Sequence, residues 1–336
     1  MSDYCVGIIG ALGAVGEQMR EILAESDLDI DRVKMFERPD LEGETAEFDG
    51  EKIPCQKATP EELADCDVAT MSAGSAASER IAPMAADAGC VVVDNSNQWR
   101  MDPDVPLVVP EVNPEDLDWH EGIVANPNCS TIQMVVALAP LHEEYGIERV
   151  VVSTYQAVSG SGVDAIEELK RQTESIVKGE EAENDVYPHQ IAFNALPHID
   201  VFQDNGYTKE EMKMVNETEK IMDESISVSP TAVRLPIYRS HAESVNVQTE
   251  KPIEPDEARE LLRDQASVVL QDEPEENHYP LPIEAEGEDD VYVGRIRKDP
   301  TVENGLNFWI VSDNLRKGAA LNTVQIAETM AERGLI

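Results

Sequence analysis

Basic residues are scarce in this chain. Its 336 residues include 26 lysines and arginines against 68 aspartates and glutamates, a formal net charge of −42. A surface of that sign repels phosphodiester backbones and anionic headgroups, which argues against nucleic acid and membrane surfaces as partners. Aromatic residues are few as well, at 5%. Acidic chains poor in aromatics often lack a core. Here the acids interleave with periodic apolar segments, and hydrophobic residues reach 41%, so a folded protein is expected. No apolar run approaches the roughly 18 to 20 residues of a membrane span. The opening "MSDYCVGIIG" has neither a basic stretch nor a cleavage-site pattern, so no secretion signal is expected. The five cysteines (5, 55, 66, 90 and 129) form no C-x-x-C pair. An odd, scattered set points to reduced thiols in a cytoplasm rather than a disulfide framework. No His/Cys cluster has zinc-site spacing, and no metal is expected.

The excess of acid points to a high-salt cytoplasm. At about 1 M salt the Debye length is only about 3 Å, and self-repulsion is largely screened. An ordinary acidic protein is the alternative.

The length suggests about two domains. Tyr4 to Ile9 reads as a buried strand running into "GALGAVG" (10–16), after which Val15, Met19, Ile22 and Leu23 recur at helical spacing. Strand, glycine turn and helix in that order open a dinucleotide-binding βαβ unit. "DRVKMFE", "DVATMSA", "CVVVDNS", "PLVVPEV" and "GIVANPN" read as further strands. A helix over "GSAASERIAPMAADAG" has Ser75 as its expected N-cap. Strands alternating with helices imply a mostly parallel sheet covered on both faces. A helix follows Cys129 to about Tyr145. Beyond it the texture becomes β-rich, with two clear helices, Val163 to Lys178 and Lys209 to Met222, so a second, α+β domain on a mixed sheet is expected. The stretch 271–290, acidic and proline-rich, reads as a solvated loop. The final helix, from about Lys317 to Arg333, can return to the first domain. The expected fold is α/β: a discontinuous Rossmann-type dinucleotide-binding domain (1–128 plus 315–336) and a catalytic and oligomerisation domain with a mixed sheet (129–314).

Gly10, Gly13 and Gly16 let the backbone turn tightly and approach a pyrophosphate, whose charge the helix N-terminus meets. Leu12, Ala14 and Val15 complete this candidate cofactor loop; a purely structural turn is the alternative. Some 20 residues on, an acid suits the ribose 2′-hydroxyl of NAD and an arginine the 2′-phosphate of NADP. Glu37 and Arg38 supply both, and the choice stays open.

Cys129, in "NPNCST", lies where a strand end meets a helix N-terminus, which favours a thiolate. Asn128 beside it offers an amide donor to an oxyanion. A buried, inert thiol is the alternative. A nucleophilic cysteine needs an acid/base partner. Of six histidines, His241 follows a strand, seven residues after Arg234. At that odd spacing on one strand the two would face opposite ways, unless a turn at Pro236 resets the register.

"GALGAVG", "NPNCST", "TYQAVSGSG" (154–162), "NALPHID" (194–200), "EEMKMVNETEKIM" (210–222), "RLPIYRSHAES" (234–244) and "DNLRKGAALNTVQIAE" (313–328) together resemble the aspartate-semialdehyde dehydrogenase family, in the family's order and over nearly the whole chain. The resemblance implies NADPH-dependent reductive dephosphorylation of L-aspartyl-4-phosphate to L-aspartate-4-semialdehyde, on the way to lysine or diaminopimelate, methionine and threonine. It implies Cys129 as the nucleophile forming a thioacyl intermediate, His241 as general acid/base, and Gln156 as the group orienting the reactants. Arg234 would hold the substrate carboxylate, Glu217 its amino group, and Arg100 and Lys220 the phosphate. Ser72, Ala73, Gly74, Ser159, Gly160 and Asn314 would line the cofactor. A homodimer or homotetramer is implied. In one place the chain departs from the family: "FERPDLEGE" carries Glu37 and further acids, which leaves NAD open beside NADP. Rival readings are another acyl-phosphate reductase, such as one for N-acetylglutamyl phosphate, a glyceraldehyde-3-phosphate dehydrogenase, which the segments after Cys129 fit poorly, and a dinucleotide-binding regulator with an inert cysteine.

Overall fold

In the computed structural model, which describes residues 4–336, two compact units separate. One takes the chain up to Asn128 and its return from Ala319 to Ile336; the other is Cys129–Gly318. The return point lies four residues beyond the expected position 315.

The first unit holds β1 (Tyr4–Ile9), α1 (Ala14–Glu25), β2 (Ile30–Phe36), β3 (Thr45–Phe48), β4 (Glu51–Gln56), the single turn α2 (Pro60–Leu63), β5 (Val68–Met71), α3 (Ser75–Asp87), β6 (Val91–Asp94) and β7 (Ile123–Ala125). Its seven strands run in the order β3-β4-β2-β1-β5-β6-β7, parallel except for the β3–β4 hairpin. Every residue of β1 is buried, as a strand covered on both faces requires. Val6 and Ile8 face a core shared with Met19 and Ile22 of α1. Cys5 and Ile9 face the opposite core, with Ile81, Ala82 and Ala85 of α3. The return segment, α9 (Leu321–Arg333), closes the first face through Val324, Ile326 and Met330.

Three features differ from the sequence expectation. The β3–β4 hairpin, absent from that expectation, turns on Asp49 and Gly50, both with positive φ, a pairing suited to a tight hairpin. "PLVVPEV" forms only an isolated bridge between Leu107 and Ala125, because its prolines interrupt pairing. Gly74, not Ser75, is the N-cap of α3; the Ser75 hydroxyl bonds the Asn97 side chain instead.

The second unit opens with α4 (Cys129–Tyr145), followed by β8 (Ile147–Gln156), α5 (Val163–Lys178), α6 (Lys209–Ile221), β9 (Ser227–Arg234), β10 (His241–Thr249), α7 (Pro255–Asp264), β11 (Val268–Leu270), the single turn α8 (Pro282–Ala285), β12 (Val291–Asp299) and β13 (Gly305–Ser312). The strand order is β11-β12-β13-β10-β8-β9, with β8/β9 and β11/β12 parallel and the other pairs antiparallel: a mixed sheet. Residues Ser130 to Ala139 of α4 are all buried, as expected for a helix apolar on every side. The stretch 271–290 is only partly a solvated loop. Ala285 is buried, Pro280 accepts the Trp309 indole N–H, and the Gly287 N–H bonds the buried Asp313.

Candidate active site

In the first unit the glycine loop is built for closeness. Gly10 has φ +87°, and a Cβ there would lie 2.4 Å from the Ser72 carbonyl oxygen. A Cβ on Gly16 would lie 2.1 Å from the Gly10 oxygen. These two glycines are required by the fold itself. Gly13 is different: its nearest neighbour would be 3.5 Å away, so packing alone leaves room for a methyl. Gly13 instead lines a cleft of about 530 Å³ with Gly10, Leu12, Glu37, Arg38, Lys57, Thr59, Ser72, Ala73 and Arg80 among its walls. The cleft lies off the strand ends beside the helix N-terminus, where open α/β sheets bind nucleotides. Glu37 accepts the Leu12 N–H at 2.7 Å and the Arg38 N–H at 3.2 Å. Arg38 pairs with Asp40 and Lys57 with Glu42. Arg80 makes no ion pair among the described residues; neither it nor Lys57 stands out in the sequence. Arg100, also in this unit, is buried and donates to the Asn95 carbonyl at 2.8 Å. Ahead of the cysteine, Asn126 donates to Asn95 and accepts from Asn322, so the "NPN" segment is held on both sides.

In the second unit three of the expected side chains converge on one edge of the sheet. Gln156 pairs with Arg234 in the β8/β9 register, and Tyr155 pairs with Ala242 across β8/β10. That places Gln156 between Arg234 and His241, all three on one face, since directly paired residues point to the same side. Arg234 and His241 thus belong to different strands, and the spacing objection disappears. Cys129 belongs to the same end. A Cβ on Gly318 would lie 2.9 Å from the Cys129 Cβ; the Gly318 N–H bonds the Asp313 carbonyl; and Asp313 follows Ser312, the register partner of His241. Cys129 is the first residue of α4 and half-buried, whereas the other four cysteines are buried. Asn128, directly before it, is buried as well.

His241 is fully buried and its Nδ1 accepts the Ala157 N–H at 3.1 Å. The neutral ring therefore carries its proton on Nε2, and that atom has no hydrogen-bond partner. Burial, then the Arg234 charge, pulls its pKa down to about 3. Arg234 is 4% exposed, donates to the Ala157 carbonyl at 2.6 Å, has an Nε without a partner, and pairs with no carboxylate among the described residues. A buried guanidinium without a counter-ion is a costly arrangement that an incoming anion would relieve. Gly160 lies against both groups. Asn314 bonds Ser159 at 3.0–3.1 Å and the Ser240 N–H at 2.9 Å, pinning that turn. Glu217 is buried on the inner face of α6, and Lys220 lies in its last turn, half-buried.

A Cβ on Gly160 would sit 3.1 Å from the Arg234 Nη1 and 3.4 Å from the His241 Nε2. Both neighbours are side-chain ends, so they shift and the fold survives. Gly160→Ala is expected to lower kcat/KM by roughly a hundredfold, as sub-ångström misplacement of reacting groups does, with an unchanged thermal midpoint. A large drop in the midpoint would show instead that the glycine serves packing.

Other groups at the site do not follow from the sequence reasoning. Glu243 is buried with neither oxygen well bonded; burial holds its carboxyl well above the usual range, against the Gln133 amide. Its place two residues after His241 on a strand puts it on the same face, a signal the sequence does carry. Glu210 on α6 and the fully buried Lys317 are two more. No group of three or more potential metal ligands exists among the described residues, and no helix of theirs is long and apolar enough to cross a membrane.

Residues 5–120 match the semialdehyde dehydrogenase NAD binding domain, and residues 138–317 the semialdehyde dehydrogenase dimerisation domain. The chain belongs to the aspartate-semialdehyde dehydrogenase family. It is 54% identical to the aspartate-semialdehyde dehydrogenase of Aquifex aeolicus, over 99% of each chain, and 47% identical to that of Bacillus subtilis, over 98% of each. The solved structure of aspartate semialdehyde dehydrogenase II of Vibrio cholerae, complexed with ASA, superposes with a TM-score of 0.95 at 46% identity, covering 99% of both chains. The two-unit α/β fold, with a dinucleotide-binding Rossmann unit and a mixed-sheet dimerisation unit, is the fold of this family.

Proposed function

We propose that the protein reduces L-aspartyl-4-phosphate to L-aspartate-4-semialdehyde and phosphate through a thioacyl intermediate on Cys129, as an enzyme of amino-acid biosynthesis. The observation that carries the site reading is Arg234: a buried cation without a counter-ion, beside a histidine whose Nε2–H is unclaimed. An amino-acid carboxylate matches that guanidinium in charge and in bidentate shape. Cys129 attacks the acyl phosphate, the C–O bond to phosphate breaks, and the thioester remains. The nicotinamide cofactor, when bound, supplies the hydride that reduces it, and the C–S bond breaks to release the aldehyde and return the Cys129 thiolate. Gln156 and Asn128 offer amide donors to the oxyanion. With Nδ1 occupied by the Ala157 N–H, His241 acts from Nε2 as a donor. In that tautomer it stabilises or protonates the oxyanion rather than stripping a thiol, so the helix N-terminus is left to favour the thiolate. Glu217 is assigned the substrate ammonium, and Lys220 and Arg100 the phosphate. A free-amino contact at Glu217 disfavours an N-acetylated substrate. The rest is proposed on family grounds: a homodimer or homotetramer in a cytoplasm, with Ser72, Ala73, Gly74, Ser159, Gly160 and Asn314 near the cofactor. Asn314 is already bonded to Ser159 and Ser240, so any such contact runs through that turn.

For the cofactor we favour NADP. Glu37 is occupied by the Leu12 and Arg38 amides, and three cations, Arg38, Lys57 and Arg80, share its cleft. Arg80 is the one not already paired. The decisive assay is phosphate-dependent oxidation of aspartate semialdehyde in molar KCl with NADP and with NAD. Arg80→Ala is expected to raise KM for NADP about tenfold, the scale of one lost charge-assisted contact, and to leave KM for NAD within about twofold. Equal effects on both cofactors would remove Arg80 from the 2′-phosphate. Failure of aspartate semialdehyde to react at all, with N-acetylglutamate semialdehyde reacting, would replace the substrate.

A further inference from the structure

Of the two site carboxylates outside the roles above, Glu243 and Glu210, only Glu210 bonds a residue already given a role. Glu210 sits in the first turn of α6, seven residues before Glu217 and on the same inner face, and is 6% exposed. Its Oε1 accepts the Gln156 Nε2–H at 3.0 Å. Its Oε2 accepts Lys213 Nζ at 2.8 Å, and that ammonium also reaches Asp200 at 3.2 Å. On the other side of the amide, the Thr154 hydroxyl donates to the Gln156 Oε1 at 3.3 Å.

A glutamine amide has two ends of nearly equal shape and opposite polarity. Turned about its last bond, Gln156 would present a carbonyl to a carboxylate, which can only accept. The Glu210 charge therefore selects one orientation. In it, one N–H is spent on Glu210 and the second remains unclaimed, between Arg234 and His241 on the same face of the sheet. Lys213 holds Glu210 in place from behind, and Asp200 holds Lys213.

We propose that Glu210 is a positioning residue for the reaction: it fixes the polarity of the Gln156 amide, so that an N–H and not a carbonyl faces the acyl group. The proposal rests on the assignment of Gln156 to the oxyanion. Exchange of Glu210 for glutamine keeps the shape and leaves Lys213 its Asp200 partner. It removes the selection, because a neutral amide at 210 donates or accepts equally well and Gln156 then populates both orientations.

The test compares Glu210→Gln, Glu210→Asp, Gln156→Ala and the double variant Glu210→Gln/Gln156→Ala in full-length protein, with aspartate semialdehyde, phosphate and NADP. Glu210→Gln is expected to lower kcat about tenfold, the scale of one misdirected hydrogen bond in the transition state. KM for aspartate semialdehyde should stay within about twofold and the thermal midpoint should not move. Glu210→Asp should recover part of the loss. The double variant should be no slower than Gln156→Ala alone, because the two residues act as one unit. Wild-type kcat in Glu210→Gln beside an impaired Gln156→Ala would overturn the role of Glu210 alone, as would fully multiplicative losses in the double variant. Full activity in Gln156→Ala would overturn the oxyanion assignment and this proposal with it.

Discussion

Replacing Cys129 with alanine is expected to reduce phosphate-dependent oxidation of aspartate semialdehyde by roughly 10⁴-fold or more, the loss that follows removal of a covalent nucleophile. Cofactor affinity, a property of the first unit, should keep its wild-type value by fluorescence titration. Cys129 begins a 17-residue helix, and the unsatisfied amides of that first turn carry partial positive charge. Cys5, Cys55, Cys66 and Cys90 lie inside the core of the other unit, where burial raises the thiols of Cys5, Cys55 and Cys66, in Cys66 behind the larger effect of its contact with Cys90. A raised, buried thiol neither attacks nor is attacked. Iodoacetamide should therefore label Cys129 first, with loss of activity tracking that label alone. Retained turnover in Cys129→Ala would end the thioester mechanism and leave direct hydride transfer to a non-covalent substrate.

How much of the fold and the site is legible in the amino-acid sequence follows from how local the physics is. The β1–glycine–α1 unit announces itself because strand, turn and helix are contiguous and each has its own periodicity. Cys129 is equally visible at a helix start, since an Asn-Pro-Asn segment followed by an apolar run is a local pattern. The convergence of Gln156, Arg234 and His241 is not local. It depends on β8 pairing parallel with β9 and antiparallel with β10, and no window of sequence contains that register. The glycine loop reads as one feature in sequence, yet Gly10 and Gly16 answer to backbone clashes and Gly13 does not. That distinction needs atoms. Some elements that escape the sequence reasoning do carry signals. "FDGEK" contains the Asp-Gly turn of the β3–β4 hairpin, and α7 begins with Pro after an acidic cap. Glu210 carries none, because its meaning comes entirely from the amide it faces across α6 and β8.

Dilution of salt is expected to unfold this protein. From about 2 M to 0.1 M KCl the thermal midpoint should fall by at least about 10 °C, since the Debye length grows from a few ångströms to about 10 Å and exposed like charges begin to act on one another. The acids that matter are those with nothing else to do. Glu168 is buried and accepts the N–H groups of Asp185, Val186 and Tyr187; Asp313 is buried and pairs with Arg239; these are structural and indifferent to salt. By contrast Glu180, Glu181 and Glu183, then Glu275 and Glu276, then Glu284, Glu286 and Glu288, are exposed in runs. The few basic residues cannot offset them: a single cation such as Lys34 is shared between two acids, Glu62 and Asp65, and most other pairs are surface contacts of small worth. Repulsion within each run is short-ranged in molar salt and reaches across neighbouring runs without it. Replacement of Glu275, Glu276, Glu286 and Glu288 by glutamine should therefore recover stability at 0.1 M KCl while changing little at 2 M. Sucrose, which strengthens burial without screening charge, should rescue the wild type less well than KCl at equal osmolality. Circular dichroism showing a full native signal and the same midpoint at 10 mM salt would mean that the charge is not tuned to salt, and the high-salt reading of the composition would fall.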